Sequence, residues 1–238
     1  MRKRCRAHVV RFISLCMFSR ILTLFLSIFT ITAALASGAP TWNAFNDFWS
    51  KAASFPGSTT PNAWSYGSAP IGNRDAVFSF TAFTDSALEV EIPSGGPLYK
   101  HANTGAPEPC VARANAAWYV GAPPMPPFLF THPGESSYAI VRWKAPEAGT
   151  YKVSATFLAS GGSGLKEVGV VQYKESGGNV ELMKPSLIGS QNPEVNQAEY
   201  EGSVKLEAGE FVAFYVGNGG DTHANDAVGL EAVIAAEE

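Results

Sequence analysis

From residue 138 onward, apolar and polar residues alternate with period two, the pattern of strands with one buried face. In Tyr138–Lys144, Ala139, Val141 and Trp143 fall on one face and Tyr138, Ile140 and Arg142 on the other. Thr150–Leu158 repeats the pattern through Tyr151, Val153, Ala155 and Phe157. Val168–Glu175, Val180–Met183, Tyr200–Leu206, Glu210–Val216 and Gly229–Ala235 follow. Gly161-Gly162-Ser163-Gly164, Gly177-Gly178 and Glu207-Ala208-Gly209 divide several of them, and such clusters are turns. Upstream, Ala63–Gly67, Ala76–Ala82 and Leu88–Ile92 read as further short strands. Between Pro93 and Pro127 there are eight prolines and little periodicity, which predicts loop with one strand at Trp118–Val120. Phe45, Phe48, Trp49 and Ala52 recur at helical spacing, so Thr41–Ala53 is expected to be a short helix or helical turn packed on a sheet. Many short strands separated by turns predict an all-β, antiparallel sandwich behind a short N-terminal helix.

The first 36 residues follow a different pattern. Six Lys or Arg between Arg2 and Arg20 lead into an apolar run over Ile21–Ala36 that ends Ala34-Leu35-Ala36. Basic segment, apolar segment and small-residue cleavage site, in that order, make a secretory signal peptide. Cleavage is expected after Ala36, leaving 37–238 as one domain, secreted or held at the cell surface or in the periplasm. The alternative is an uncleaved anchor, for which the run is short against the ~20 residues of a span.

Removing those six from the chain's 17 basic residues leaves eleven against 21 acidic ones. A body this acidic repels phosphate backbones, so nucleic acid is not an expected partner, and acidic partners in general are disfavoured. Cys5 and Cys16 leave with the signal, and Cys110 alone cannot close a disulfide. It lies in Ala106-Pro107-Glu108-Pro109-Cys110, with no nucleophile motif around it, and reads as a small apolar residue.

Two segments carry a resemblance. The first is Asn62-Ala63-Trp64-Ser65-Tyr66-Gly67, and the second runs from His132-Pro133-Gly134 through Tyr138 to Arg142-Trp143-Lys144-Ala145-Pro146-Glu147-Ala148-Gly149-Thr150-Tyr151. Together with Asp226-Ala227-Val228-Gly229-Leu230, they resemble a domain of secreted bacterial proteins that often end in a PEP-type sorting tail. The resemblance spans Phe45 to Ile234 and implies a jelly roll like that of carbohydrate-binding modules. It implies no activity. The chain ends Ala235-Ala236-Glu237-Glu238 without the sorting tail, so anchoring by that route is not expected.

Catalytic chemistry is thinly represented. His101, His132 and His223 lie far apart, without metal-ligand spacing. No nucleophile elbow, phosphate loop or dinucleotide fingerprint occurs, and no signature selects a carboxylate pair for glycoside hydrolysis. A non-enzyme is expected. Binding has better candidates: Trp118 and Tyr119 in the proline-rich loop, and Trp64 and Tyr66, which share a face if they lie in a strand. Arg142 and His132 each have a structural reading, as a strand hydrogen bonder and a loop-to-strand tie, and a ligand-contact reading. Asp221 and Asp226 sit in Gly217–Asp226 among two Asn, which reads as a turn with Asx caps; the alternative is a Ca²⁺ loop. The expectation is a secreted, non-catalytic module recognising extracellular polysaccharide or another glycan. The alternative is a structural or adhesive component of the cell surface or matrix.

Overall fold

The alternating stretches close into two antiparallel sheets. A computed structural model of the chain describes residues 39–48, 63–71, 79–92, 96–103, 108–114, 128–159, 164–174, 178–189 and 195–238, with the backbone alone for 85–92, 96–99 and 114. The strands are β1 (Thr41–Asn43), β2 (Trp64–Pro70), β3 (Thr81–Ala82), β4 (Asp85–Ile92), β5 (Gly96–Ala102), β6 (Cys110–Ala114), β7 (Leu129–His132), β8 (Ser137–Lys144), β9 (Gly149–Ala159), β10 (Leu165–Tyr173), β11 (Val180–Gly189), β12 (Gln197–Leu206), β13 (Phe211–Gly217) and β14 (Val228–Ala236). One sheet runs β12-β9-β14-β7-β6-β5-β4, with β1 also on β14; the other runs β11-β10-β13-β8-β2-β3.

The last eight strands alternate between the sheets except for the β10–β11 hairpin, giving β12-β9-β14-β7 on one side and β11-β10-β13-β8 on the other. That order is two interlocked Greek keys, the jelly roll expected from the resemblance. Strands β4–β6 widen the first sheet beyond β7, and β2 and β3 widen the second beyond β8. Residues Pro40–Glu238 form one compact unit.

Alternation decides what faces in. Trp64, Val141, Trp143, Tyr151, Val153, Phe157, Phe214 and Leu230 are buried between the sheets. Trp143 lies 5.0 Å from both the Trp42 and Tyr151 rings, centroid to centroid. Burying aromatic side chains of this size contributes most of a sandwich core's hydrophobic stabilisation.

The outer face of the six-stranded sheet also carries apolar residues at one end. Tyr138, Ile140, Val171, Ala213 and Tyr215 are buried there. Glycines make room for the rings. A Cβ on Gly169 would lie 2.5–2.7 Å from Tyr215 atoms, and one on Gly217 2.6 Å from the Tyr138 ring. Each tyrosine therefore occupies the space above a glycine of a neighbouring strand.

Two expectations need correction. Thr41–Asn43 is a strand and not the start of a helix, and Ala44–Asp47 is a turn. The Asn43 side chain accepts hydrogen bonds from the Phe45 and Asn46 amides and its carbonyl accepts the Asp47 amide, the pattern of an Asn cap on a single helical turn. Phe48 still packs into the core, next to Tyr66 at 5.1 Å. The rest of the expected helix, with Trp49 and Ala52, lies outside the described residues. The proline-rich stretch is not all loop either, because it contains β5 and β6. Pro97 is tolerated in β5 because it pairs only with Glu91 of β4; the β6 ladder begins at Leu98. The strand expected at Trp118–Val120 and the export segment 1–36 lie outside the described residues. Among the described residues no helix is long and apolar enough to cross a membrane.

Candidate functional site

Strand direction sorts the polar side chains to two ends of the sandwich. At one end the β7–β8 turn, the β13–β14 loop and the residues before β6 bring together Glu108, His132, Glu135, His223 and Asp226. His223 lies between two carboxylates, with Nδ1 2.5 Å from Glu135 and Nε2 3.2 Å from Glu108. The His223 contact holds the Glu135 carboxyl below the usual range. His132 Nδ1 contacts the Pro133 carbonyl at 2.8 Å and Nε2 faces Glu108 at 3.5 Å. Burial pushes the His132 imidazole down, favouring its neutral form. These groups spend their hydrogen bonds on one another and tie three chain segments together.

Beneath them lies a buried pair. Asp226 and Lys166 are both fully removed from solvent, with Nζ 3.9 Å from Oδ1. Among the described residues, no group donates a hydrogen bond to either carboxylate oxygen of Asp226. Burial pushes its carboxyl up to about 7, and burial pushes Lys166 down. Asp221 and Asp226 do converge: a Cβ on Gly164 would lie 2.6 Å from Asp226 Oδ1 and 3.8 Å from Asp221 Oδ2. Asp221 Oδ2 accepts the Leu165 amide at 3.1 Å, and Lys166 Nζ donates to the Gly164 carbonyl. An ammonium therefore supplies the positive charge beside these carboxylates. Among the described residues no three His, Cys, Asp or Glu are grouped to hold a metal ion.

The opposite end presents a different chemistry on the outer face of the six-stranded sheet. Register places Ser65 opposite Arg142, Lys144 opposite Phe211, and Phe211 opposite Tyr173. Directly opposed residues share a face, so these side chains project together. The Arg142 guanidinium carbon sits 3.8 Å from the Phe80 ring centre and 3.9 Å from the Phe211 ring centre. Lys144 Nζ approaches the same Phe211 ring at 5.8 Å, and Tyr173 packs on Phe211 at 6.1 Å. Arg142 Nε donates to Ser65 Oγ at 3.2 Å, and Ser65 Oγ donates to the Arg142 carbonyl. Phe80, Arg142, Tyr173 and Phe211 are all half-buried and Lys144 is exposed. Burial among the rings lowers Arg142 to about 10, so it stays charged at neutral pH.

The binding candidates read from the sequence are distributed as follows. Trp64 and Tyr66 do share a face, but it is the inner one, and they are only 2% and 3% exposed. Trp64 Nε1 donates to Asp47 at 3.3 Å, and Tyr66 packs on Phe48 and His101. They fill the core and offer no ring to a ligand, a correction to the expected surface pair. His132 belongs to the histidine–carboxylate end and Arg142 to the aromatic end. Trp118 and Tyr119 lie outside the described residues. Sequence reasoning missed Phe80, Lys144, Tyr173 and Phe211. Alternation already placed Arg142 and Lys144 on one face, but strand adjacency, which brings the rings to them, is not written in a single strand.

The class this fold defines is the jelly-roll β-sandwich. No protein-family model matches the chain, and no curated protein matches it. Among solved structures it is similar to the CBM22-1 xylan-binding domain of a Paenibacillus barcinonensis protein, at 11% identity over 64% of this chain and 92% of that one, with a TM-score of 0.36. A family 35 carbohydrate binding module from Clostridium thermocellum shares 13% identity, covering 62% and 91% of the two chains, TM-score 0.28. An adhesin domain of Lys-gingipain from Porphyromonas gingivalis shares 16%, covering 74% and 93%, TM-score 0.28. Likeness this distant says nothing about a ligand, and the strand order establishes the jelly roll without it.

Proposed function

We propose that this chain is an exported, non-catalytic module that binds extracellular carbohydrate through the outer-face patch around Arg142. The observation that carries the reading is the half-exposed set of Phe80, Phe211 and Tyr173 rings around a fixed guanidinium. A pyranose has C–H faces that pack on aromatic rings and hydroxyls that accept from charged donors, and this patch offers both. The sandwich holds Ser65, Arg142, Lys144, Phe211 and Tyr173 on four adjacent strands, with Phe80 just before β3 beside them, so little ordering is needed on binding. Export rests on the basic, apolar and small-residue order of 1–36.

Calcium is no part of this proposal. A divalent ion at Asp221 and Asp226 would face the Lys166 ammonium, which already stands 3.9 Å from Asp226 out of solvent. The structural or adhesive alternative gains little support from the free edge of the six-stranded sheet. Among the described residues, Val180 and Leu187 of the edge strand β11 are the exposed large apolar side chains, and Lys184 and Pro185 lie between them. A lysine and a proline discourage strand addition at such an edge.

The test is retention of the full chain on a panel of soluble and insoluble polysaccharides, with EDTA as a control. The reading expects retention on at least one polysaccharide, unchanged by EDTA and lost in Phe211→Ala, with the variant's melting curve still cooperative. A folded protein retained by none of them would refute it.

A further inference from the structure

Among the described residues, the Arg142 patch holds more positive charge than the side chains around it balance. Arg142 has one in-plane hydrogen bond, from Nε to Ser65, and rings at 3.8 and 3.9 Å from its central carbon. Its two terminal nitrogens have no hydrogen-bond or ion-pair partner among the described residues. A guanidinium stacked on aromatic rings and pinned at Nε leaves its terminal N–H groups as a fixed fork, the shape that meets a carboxylate with two parallel hydrogen bonds.

Lys144 adds a second cation on the same Phe211 ring. Neither cation has a carboxylate partner among the described residues. The described acid–base contacts lie elsewhere: Lys152 with Glu201, Lys166 with Asp226, His132 with Glu108, and His223 with Glu108 and Glu135. Glu210, the nearest acidic residue in sequence to Phe211, is buried and its carboxylate accepts the Glu207 amide. In a body with eleven basic and 21 acidic residues, two adjacent cations with no acid partner among the described residues are unexpected.

We propose that the patch selects carbohydrate carrying a carboxylate, a uronic acid residue, with the Arg142 fork on the carboxylate and the Phe211 and Tyr173 rings beside the sugar. The inference rests on the carbohydrate reading above. It also qualifies the expectation that acidic partners are disfavoured. Net charge acts over distance and is screened beyond ~8 Å at physiological salt, whereas the fork acts at contact. Lys144 strengthens the local field at the rim and orients an approaching anion.

The test compares polygalacturonate, its methyl ester, an uncharged galactan and dextran sulfate as ligands for the full chain. Polygalacturonate is expected to bind about 10-fold or more tightly than its methyl ester, the scale of one charge-assisted bidentate contact. Arg142→Lys keeps the charge but lacks the fork and is expected to remove most of that preference. Lys144→Ala, at an exposed position, is expected to weaken polygalacturonate binding several-fold without moving the melting temperature. Equal binding of the ester and the free acid would overturn the uronate inference while leaving carbohydrate binding in place. Dextran sulfate binding as tightly as polygalacturonate would overturn it as well, because charge alone would then suffice. Binding of no polysaccharide would instead remove the reading on which it rests.

Discussion

Replacing Gly169 with Ala probes why one half of the outer sheet face is closed while the other half is open. The new methyl group would lie 2.5 Å from Tyr215 Oη, 2.6 Å from Cζ and 2.7 Å from Cε1. Carbon atoms in contact need about 3.5 Å or more, so the ring must move by nearly 1 Å. It has little space to do so. Tyr215 is 2% exposed and meets the Tyr138 ring edge-on at 5.1 Å, and Tyr138 in turn covers Gly217. Overpacking a filled site typically costs 1–3 kcal/mol, and this site is at the upper part of that range because two atoms of a rigid ring and its hydroxyl are displaced together: about 2–3 kcal/mol. For a domain of this size that corresponds to a melting temperature lowered by roughly 4–12 °C. Urea titration and thermal melting followed by circular dichroism would measure it. The double change Gly169→Ala with Tyr215→Ala should cost less than the sum of the two single changes, because the alanine methyl then occupies space the ring has left. A Gly169→Ala protein as stable as the parent, or fully additive effects, would refute the packing argument.

Other outcomes follow from the same structure. Asp226 has a carboxyl raised by burial to about 7, so the folded protein binds its proton more tightly than the unfolded chain does. That contribution to stability is full below the unfolded value near 4, shrinks as pH rises and is gone above about 7, so the melting temperature should fall between about pH 4 and pH 7; Asp226→Asn should flatten that dependence, and an unchanged slope would contradict the assignment. Cys110 is 2% exposed and its thiol is pushed up to about 12, chiefly by burial, so a thiol reagent should label it only on unfolding, and rapid labelling of the native protein would contradict its place in β6. Trp143→Ala removes a fully buried indole in contact with Trp42 and Tyr151 and should cost about 3–5 kcal/mol in urea titration.

Much of the fold is legible in the sequence because period-two alternation is a local property. The strand from Ser137 to Lys144 was readable, with Trp143 in the core and Arg142 outside. At the stretch from Thr41 the boundary was not legible: Thr41–Asn43 pairs with β14 as a strand, and the helical spacing begins only at the Asn43-capped turn that carries Phe48 into the core. Strands β5 and β6 were hidden by prolines, because the harmlessness of Pro97 depends on where the β6 ladder begins. The site was less legible. Trp64 and Tyr66 stood out as aromatics, but which face of β2 meets the other sheet is a tertiary fact. Arg142 could be named, yet Phe80, Phe211 and Tyr173 come from separate strands or a strand approach, and only the β3-β2-β8-β13-β10 order assembles them.

The most direct test of the central claim is hydroxyl-radical footprinting of the full chain with and without a retained polysaccharide. Phe80, Tyr173 and Phe211 are half-buried in the free protein and should lose reactivity when ligand binds, while residues at the histidine end, such as His223, keep theirs. Protection at the His223 end with the Arg142 patch unchanged would contradict the account and move the binding site to the opposite end of the sandwich.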